Sequence, residues 1–405
     1  MDKYLERLKN GTLKLHALEK ELPAPEAIGV RRAFIEGEAG VKLPKLGSFT
    51  MDPSVAVKKN VENMVGAVQV PVGVAGPLAV KGEFAKGLFY VPLATTEGAL
   101  VASVNRGCGA ITRAGGADVR VLRNGMTRAP VFSTGDVLHA RSVKEYVDGN
   151  FGALAAAAAE TTSHGELTGA LSVVTGTTVH VRLEFDTKDA MGMNMVTIAS
   201  ERIADLIEEK TGARLVALSG NLCTDKKPAA VNGILGRGKS VVAGVALPDP
   251  LVAEAFRTDS ATLAEVNYRK NLLGSARAAS LGFNAHAANV IAAVFIACGQ
   301  DPAHVVEGSG TFTTVERQEG RVYVAVTIPS LQLGTVGGGT GLDTQRECLS
   351  ILGVAGGGDP PGSRAMKFAE IVAAAVLAGE VNLLGALAAG HLARAHKALG
   401  RGGKT

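Results

Sequence analysis

The chain has no tryptophan and only five tyrosines among 405 residues, and its net charge is just +4. A nucleic-acid surface needs clustered cations interleaved with stacking aromatics, so this balance argues against one while leaving room for a local anion site. Cysteine is equally scarce. Cys108, Cys223, Cys298 and Cys348 lie far apart with no C-x-x-C pair, so neither a disulfide scaffold nor a zinc site follows, and reduced thiols in a cytoplasmic protein are the simplest reading. The first residues, Met1 to Arg7, are charged and lack the apolar core of a signal peptide. The best membrane candidate, residues 372–390, carries Glu380 at its centre and four glycine or asparagine positions, so it reads as a buried helix pair rather than a span.

What is present is a chain 46% hydrophobic and 20% charged, too apolar for disorder and long enough for two or three domains. Residues 1–60 read as a small helical region. Residues 68–80 and 87–93 read as strands cut by Gly and Pro. Residues 96–106 have helical character, with Thr95 and Thr96 as N-caps and Glu97 in the first turn. Residues 177–185 alternate with period two, as a half-buried strand does, and 191–210 follow with helical spacing up to Gly212. A strand entering a helix through Asp189-Ala190-Met191-Gly192-Met193-Asn194 is a plausible cofactor junction. Further helices are expected at 285–298 and from Pro361 to about Gly390, ahead of a basic, glycine-rich tail.

Several constellations carry possible chemistry. Ser219 to Pro228 holds Asp225, Lys226 and Lys227, which suit a carboxylate or a developing oxyanion, but spacing alone favours a solvated turn. Gly233 to Ser240 formally satisfies G-x-x-x-x-G-K-[ST]; a β-rich sequel stopped by Pro248 leaves no room for the phosphate-cradling helix, so the match reads as chance. His286 and Asn289 share a helix face, with Asp301 just beyond. His391 and His396 are five apart with no completing carboxylate, so no metal is expected. Gly334 to Thr340 is glycine-rich but lacks the dinucleotide fingerprint spacing. From residues alone the chain is an α+β enzyme with an anion-binding, lysine-containing site, and the reaction stays unnamed.

Seven segments in order resemble the 3-hydroxy-3-methylglutaryl-coenzyme A (HMG-CoA) reductase family over about residues 55–401. They are Glu62-Asn63-Met64-Val65-Gly66 with the following Pro71 to Leu78, Ala94 to Gly98, Asp189 to Met195, Cys223 to Ala230, Asn284 to Asn289, Gly334 to Thr340, and Gly390-His391-Leu392. The Met-Gly-Met-Asn-Met form and His396 are similar to the class I type shared by eukaryotes and archaea, in a soluble, archaeal-like form.

The resemblance implies two NADPH-driven hydride steps that convert HMG-CoA to mevalonate and CoA, the committed step of isoprenoid synthesis. It implies catalytic roles for Lys226 (oxyanion), Glu97 (proton donor, protonated by burial and neighbours), Asp301 (linking both) and His396 (proton to the CoA thiolate). Arg128, Ser219, Asp225, Lys227, Lys270 and Asn289 would hold the acyl group, and Ser103, Asn105 and Arg106 the CoA. Asp189, Met191, Gly192, Met193, Asn194 and Met195 with Gly337, Gly338 and Gly339 would line the cofactor site, and Arg401 would meet a 2′-phosphate. His164 and Gly400 depart from the family pattern there, which leaves room for NADH.

The implied fold is α+β: a large substrate domain (61–129 and 218–389), an inserted small ferredoxin-like cofactor domain (130–217), the helical region 1–60 and a mobile flap (390–405). Active sites would form at the interface of a dimer, or of dimers paired as tetramers. Two other readings are a P-loop phosphotransferase and an NAD enzyme of the same fold that oxidises mevalonate.

Overall fold

The computed structural model describes residues 1–390, so His391, His396, Gly400 and Arg401 lie outside it. The helices of the first 60 residues are Asp2–Lys9, Ala24–Ala39 and Pro53–Lys59, in a region read as helical from the sequence. The guanidinium of Arg31, almost fully buried, ties them down by donating to the carbonyls of Met64 (2.8 Å) and Leu15 (2.7 Å) and to Glu19.

Ten strands form one continuous pairing network: β1 (Val72–Lys81), β2 (Lys86–Ala94), β3 (Ala117–Arg128), β4 (Val131–Ser133), β5 (Glu166–Thr175), β6 (Thr178–Asp186), β7 (Arg214–Ala217), β8 (Gly238–Pro248), β9 (Phe312–Gln318) and β10 (Arg321–Leu331). The order is β7-β4-β6-β3-β8-β10-β9, with β1 on β2 and β3, and β5 on β6. Strand β3 is the shared element. Its residues Asp118 to Gly125 pair with β8, and Met126 to Arg128 pair with β6. Two separate apolar cores result. One includes Phe132, Leu183, Phe185, Val196 and Ile203, beneath the helices Val137–Gly149, Phe151–Ala159 and Met193–Thr211. The other surrounds the Ser363–Ala388 helix.

Two expectations need correction. The helix expected from residue 96 spans Leu100–Arg113, because Ala99 takes a left-handed φ of +73°. Thr95 Oγ1 accepts from the Glu97 N–H (2.9 Å), so Glu97 stands in a turn ahead of the helix rather than in its first turn. The apolar stretch read as a helix pair is one unbroken 26-residue helix. Its glycines mark close crossings, not breaks: a Cβ on Gly379 would meet Val290 Cγ2 at 2.8 Å and His286 Nε2 at 3.0 Å. This helix is long and apolar enough to cross a membrane, yet most of it is buried inside the protein.

Glu380, at 0% exposure, explains itself by its partners. It accepts from the backbone N–H groups of Ala285 and His286 (2.7 Å each) and from Thr313 Oγ1 (2.8 Å). It thereby fixes the start of the Ala287–Ala297 helix, which carries Asn289.

The P-loop-like match runs straight into β8, with Lys239 paired in the sheet, so it cradles no phosphate. Lys239 is 2% exposed, and burial pulls its pKa down to about 8 against the opposing pull of Asp186 and Asp189. A lowered lysine pKa means the unfolded chain binds more protons between that value and the ordinary ~10.4. Stability attributable to this group therefore rises with pH across that window. Lys239→Met is expected to be more stable near neutrality, by up to about 3 kcal/mol, and to lose that rise. Urea midpoints measured from pH 7 to 10 test both.

Candidate active site

The residues of interest fall into three groups. The first is the loop between β7 and β8. Asn221, Thr224 and Lys226 all have left-handed backbone angles (φ +63°, +58° and +56°), each costing roughly 1–2 kcal/mol for a non-glycine residue. Side chains from other elements hold them there. Thr127 Oγ1 donates to the Cys223 carbonyl (3.0 Å), Thr224 Oγ1 to Asn232 Oδ1 (2.5 Å), and the Lys226 N–H to Glu307 Oε1 (2.7 Å). This loop is not the solvated turn that spacing favours.

Lys226 Nζ meets Asp301 Oδ2 at 2.8 Å. The hydrogen bond that Lys226 donates to Asp301 raises the lysine pKa despite partial desolvation, so the side chain is an ammonium across the physiological range. Burial pushes Asp301 upward, but the hydrogen bonds from Lys226 and the Ala303 N–H outweigh it and hold the carboxyl below its ordinary value. The two shifts agree in describing one ion pair.

Beside it, Asp225 accepts from Arg128 Nη1 (3.2 Å) and is ion-paired with Arg237 Nη2 (3.0 Å). Lys227 is exposed, and its Nζ donates to the Asp225 carbonyl (3.0 Å). Ser219 is exposed too, with its Oγ 3.4 Å from Cys223 Sγ.

A second group lines a cavity of about 330 Å³: Glu97, Ser103, Arg106, Lys270 and Asn289, with His286 and Asn382. Asn289 Nδ2 donates to Glu97 Oε1 (3.3 Å). Asn382 links the other side, donating to Ser103 Oγ (2.8 Å) and accepting from Arg106 Nη1 (3.3 Å). Asn105 is not among the lining residues, because its Oδ1 accepts from the Gly76 N–H in β1 and ties helix to hairpin.

Glu97 is exposed in the single chain, and its carboxylate accepts from Asn289. The burial expected to protonate it is not supplied by this chain alone. Nor does Asp301 bridge Glu97 and Lys226 within one chain: it meets Lys226, the Ala303 N–H and, at 3.9 Å, His304.

The third group forms a cleft of about 630 Å³ lined by Met191 to Met195, Gly337 to Gly339 and Asp301. Gly192, at φ +87°, opens the 19-residue Met193–Thr211 helix with no side-chain cap, and the residues of the first turn line the cleft. A Cβ at Gly337 or Gly338 would meet nothing within 4 Å, whereas one at Gly339 would meet the Gly299 carbonyl at 2.7 Å. An open floor beside a positive helix end fits a dinucleotide pyrophosphate. Asp189 lies behind this surface. It is 6% exposed, and its oxygens accept from the N–H groups of Gly358, Gly362 and Ala365 (2.7–3.0 Å), so it shapes the loop rather than facing the cleft.

Two participants escaped the sequence reading. Arg237 is fully buried and sits in the glycine-rich segment dismissed as a chance P-loop; Glu307, also buried, follows Asp301 by six residues. The sequence offered only an arginine flanked by glycines, Gly236-Arg237-Gly238, as a hint. Asp225, His304 and Glu307 bring three ligand-type atoms within 4.8 Å of one another. Arg237 already supplies the cation among them, at 3.0 Å from Asp225 and 3.1 Å from Glu307.

Comparison with known proteins agrees along the whole length. The family profile described as hydroxymethylglutaryl-coenzyme A reductase matches residues 27–401. The chain is 56% identical to the 3-hydroxy-3-methylglutaryl-coenzyme A reductase of Halobacterium salinarum, over 98% of both chains. It is 55% identical to that of Methanothermobacter thermautotrophicus, over 98% of this chain and 99% of the other. Identity to reductase 3 of Oryza sativa is 43%, over 97% of this chain and 71% of the plant protein. In fold it is similar to the class II reductase of Streptococcus pneumoniae, solved with NADPH, at a TM-score of 0.67 and 19% identity over 93% of this chain and all of the other. With its lysine loop, acidic partner and cleft set in that sequence context, the chain belongs to the hydroxymethylglutaryl-coenzyme A reductase family.

Proposed function

We propose that the protein reduces the thioester of HMG-CoA to the primary alcohol of mevalonate, releasing CoA, with two equivalents of NADPH. One observation carries this reading: Asp301 both holds the Lys226 ammonium at 2.8 Å and lines the cleft between Met191–Met195 and Gly337–Gly339. A fixed cation thus borders the place where a reduced nicotinamide would lie. A bound reduced nicotinamide supplies the hydride.

Each reduction converts a carbonyl oxygen into an alkoxide, and Lys226 is positioned to stabilise that developing charge. Arg128, Asp225, Lys227 and Ser219 gather about the same loop and would hold the substrate's free carboxylate and hydroxyl. Lys270, Asn289, Ser103 and Arg106 would receive the acyl group and CoA in the 330 Å³ cavity. Glu97 would give a proton to the aldehyde-level oxygen, and His396 a proton to the departing thiolate.

A single chain leaves Glu97 exposed and apart from Asp301. The reading is therefore completed by a second copy, with Glu97 of one protomer facing Lys226 of the other. The inserted segment 130–217 would be a ferredoxin-like cofactor domain, with its own core, joined to the substrate domain (61–129 and 218–389) through β3. Residues 1–60 would be a helical appendage and 390–405 a flap closing over the site. The enzyme would work in the cytoplasm with no metal.

NADPH is favoured over NADH because Arg401 resembles an arginine that meets the 2′-phosphate. Following absorbance of the reduced nicotinamide with HMG-CoA should give two NADPH oxidised per substrate. We expect kcat/KM for NADPH to exceed that for NADH by about tenfold or more, a gap of at least ~1.4 kcal/mol. Equal values would remove the 2′-phosphate contact from the reading while leaving the reduction itself intact.

A further inference from the structure

We propose that Glu307, braced by Arg237, is the positioning residue that aims Lys226. The inference rests on the reading of Lys226 given above and assigns a task to two buried charges that the chemistry does not otherwise use.

Lys226 is gripped at both ends by one short stretch of chain. Asp301 takes its ammonium at 2.8 Å, and six residues later Glu307 Oε1 takes its backbone N–H at 2.7 Å. The backbone at Lys226 is left-handed, a conformation that a lysine abandons unless something holds it. Among the described contacts, the Glu307 carboxylate is the side chain that accepts from the Lys226 N–H. With the main chain pinned and the tip paired, the intervening side chain has little freedom.

A lone buried carboxylate is costly, and Arg237 offsets part of that cost by pairing with Glu307 Oε1. Both side chains are at 0% exposure, with Nη1 of Arg237 3.1 Å from Glu307 Oε1 and Nη2 3.0 Å from Asp225 Oδ1. One guanidinium therefore braces the residue before Lys226 and the residue that tethers it. The same Nη2 lies 3.0 Å from Met193 Sδ, in the first turn of the helix bordering the cofactor cleft. Arg128 makes a parallel link, donating to Asp225 and to Thr197 Oγ1 (3.1 Å) of that helix. The lysine loop is thus registered against the cleft it serves.

The test uses the full chain and two readouts, one of them independent of turnover. Acetic anhydride at low dose labels lysines at a rate set by exposure and by the free-amine fraction. Lys226 labelling is compared with that of Lys144 by peptide mass spectrometry, and kcat and both KM values are measured alongside.

In Glu307→Ala the loop should relax and Lys226 should leave Asp301. Its relative labelling should rise severalfold once the ammonium loses its acceptor, and kcat should fall about thirtyfold, within the loss expected when a catalytic group is slightly misplaced, with KM for NADPH within about twofold. Glu307→Gln keeps an oxygen for the Lys226 N–H and should recover most of both losses. Arg237→Met, which leaves Glu307 unbraced, should raise labelling as Glu307→Ala does and serves if that variant fails to fold. Wild-type labelling of Lys226 in folded Glu307→Ala or Arg237→Met, with only thermal stability lowered, would show a mere structural plug and overturn the proposal. An active Lys226→Ala enzyme would instead remove the role of Lys226, while the labelling would still report whether the tether exists.

Discussion

Lys226→Ala is expected to lower kcat for HMG-CoA reduction by about 10³-fold, the usual loss when a preorganised oxyanion donor is removed. Asp301 reinforces the positive charge of the side chain and fixes where it sits. Alanine takes away the cation and leaves Asp301 facing the reacting carbonyl as an uncompensated negative charge, so both effects oppose alkoxide formation. KM for NADPH should change by less than about twofold, since the lysine borders the cleft without lining it. Lys226→Arg should rescue little, because a planar fork cannot fill the place of a point ammonium on this strained loop. Initial rates of NADPH oxidation over a range of HMG-CoA concentrations measure all three. A Lys226→Ala enzyme retaining a tenth of the wild-type kcat would require a different electrophile.

Glu97→Gln should be nearly as damaging, and mixing it with Lys226→Ala should restore activity that neither variant has alone. The reason lies in the single chain: Glu97 and Asn289 line one cavity, Lys226 and Asp301 border another, and no described contact joins them. If two protomers exchange these halves, a hybrid dimer carries one doubly damaged site and one intact site. Random reassortment makes half the dimers hybrids, so about a quarter of wild-type activity returns. Unfolding and refolding the mixture together, with each variant refolded alone as control, gives the measurement. No recovery from a mixture shown to contain hybrid dimers would place the whole site within one chain.

The sequence alone determined the element types where local physics is strong. Period-two alternation marked β6, and the left-handed glycine at 212 ended the Met193–Thr211 helix, because strand pleat and helix capping are decided within a few residues. It also pointed to Lys226, Asp301 and the Met191–Met195 junction through a family resemblance that the full-length comparisons support.

Tertiary structure decided what depends on residues distant in the chain. Ala99 halted a helix that its neighbours would have begun earlier, and one long helix kept its glycines because His286, Val290 and Phe256 press against them. The lysine loop adopts angles that its own residues disfavour, and it keeps them because Glu307 and Arg237, from later in the chain, supply charge and hydrogen bonds inside the core. Local sequence carries the cost of that strain. The compensation comes from elsewhere in the fold, so only the folded chain shows why the loop holds its shape.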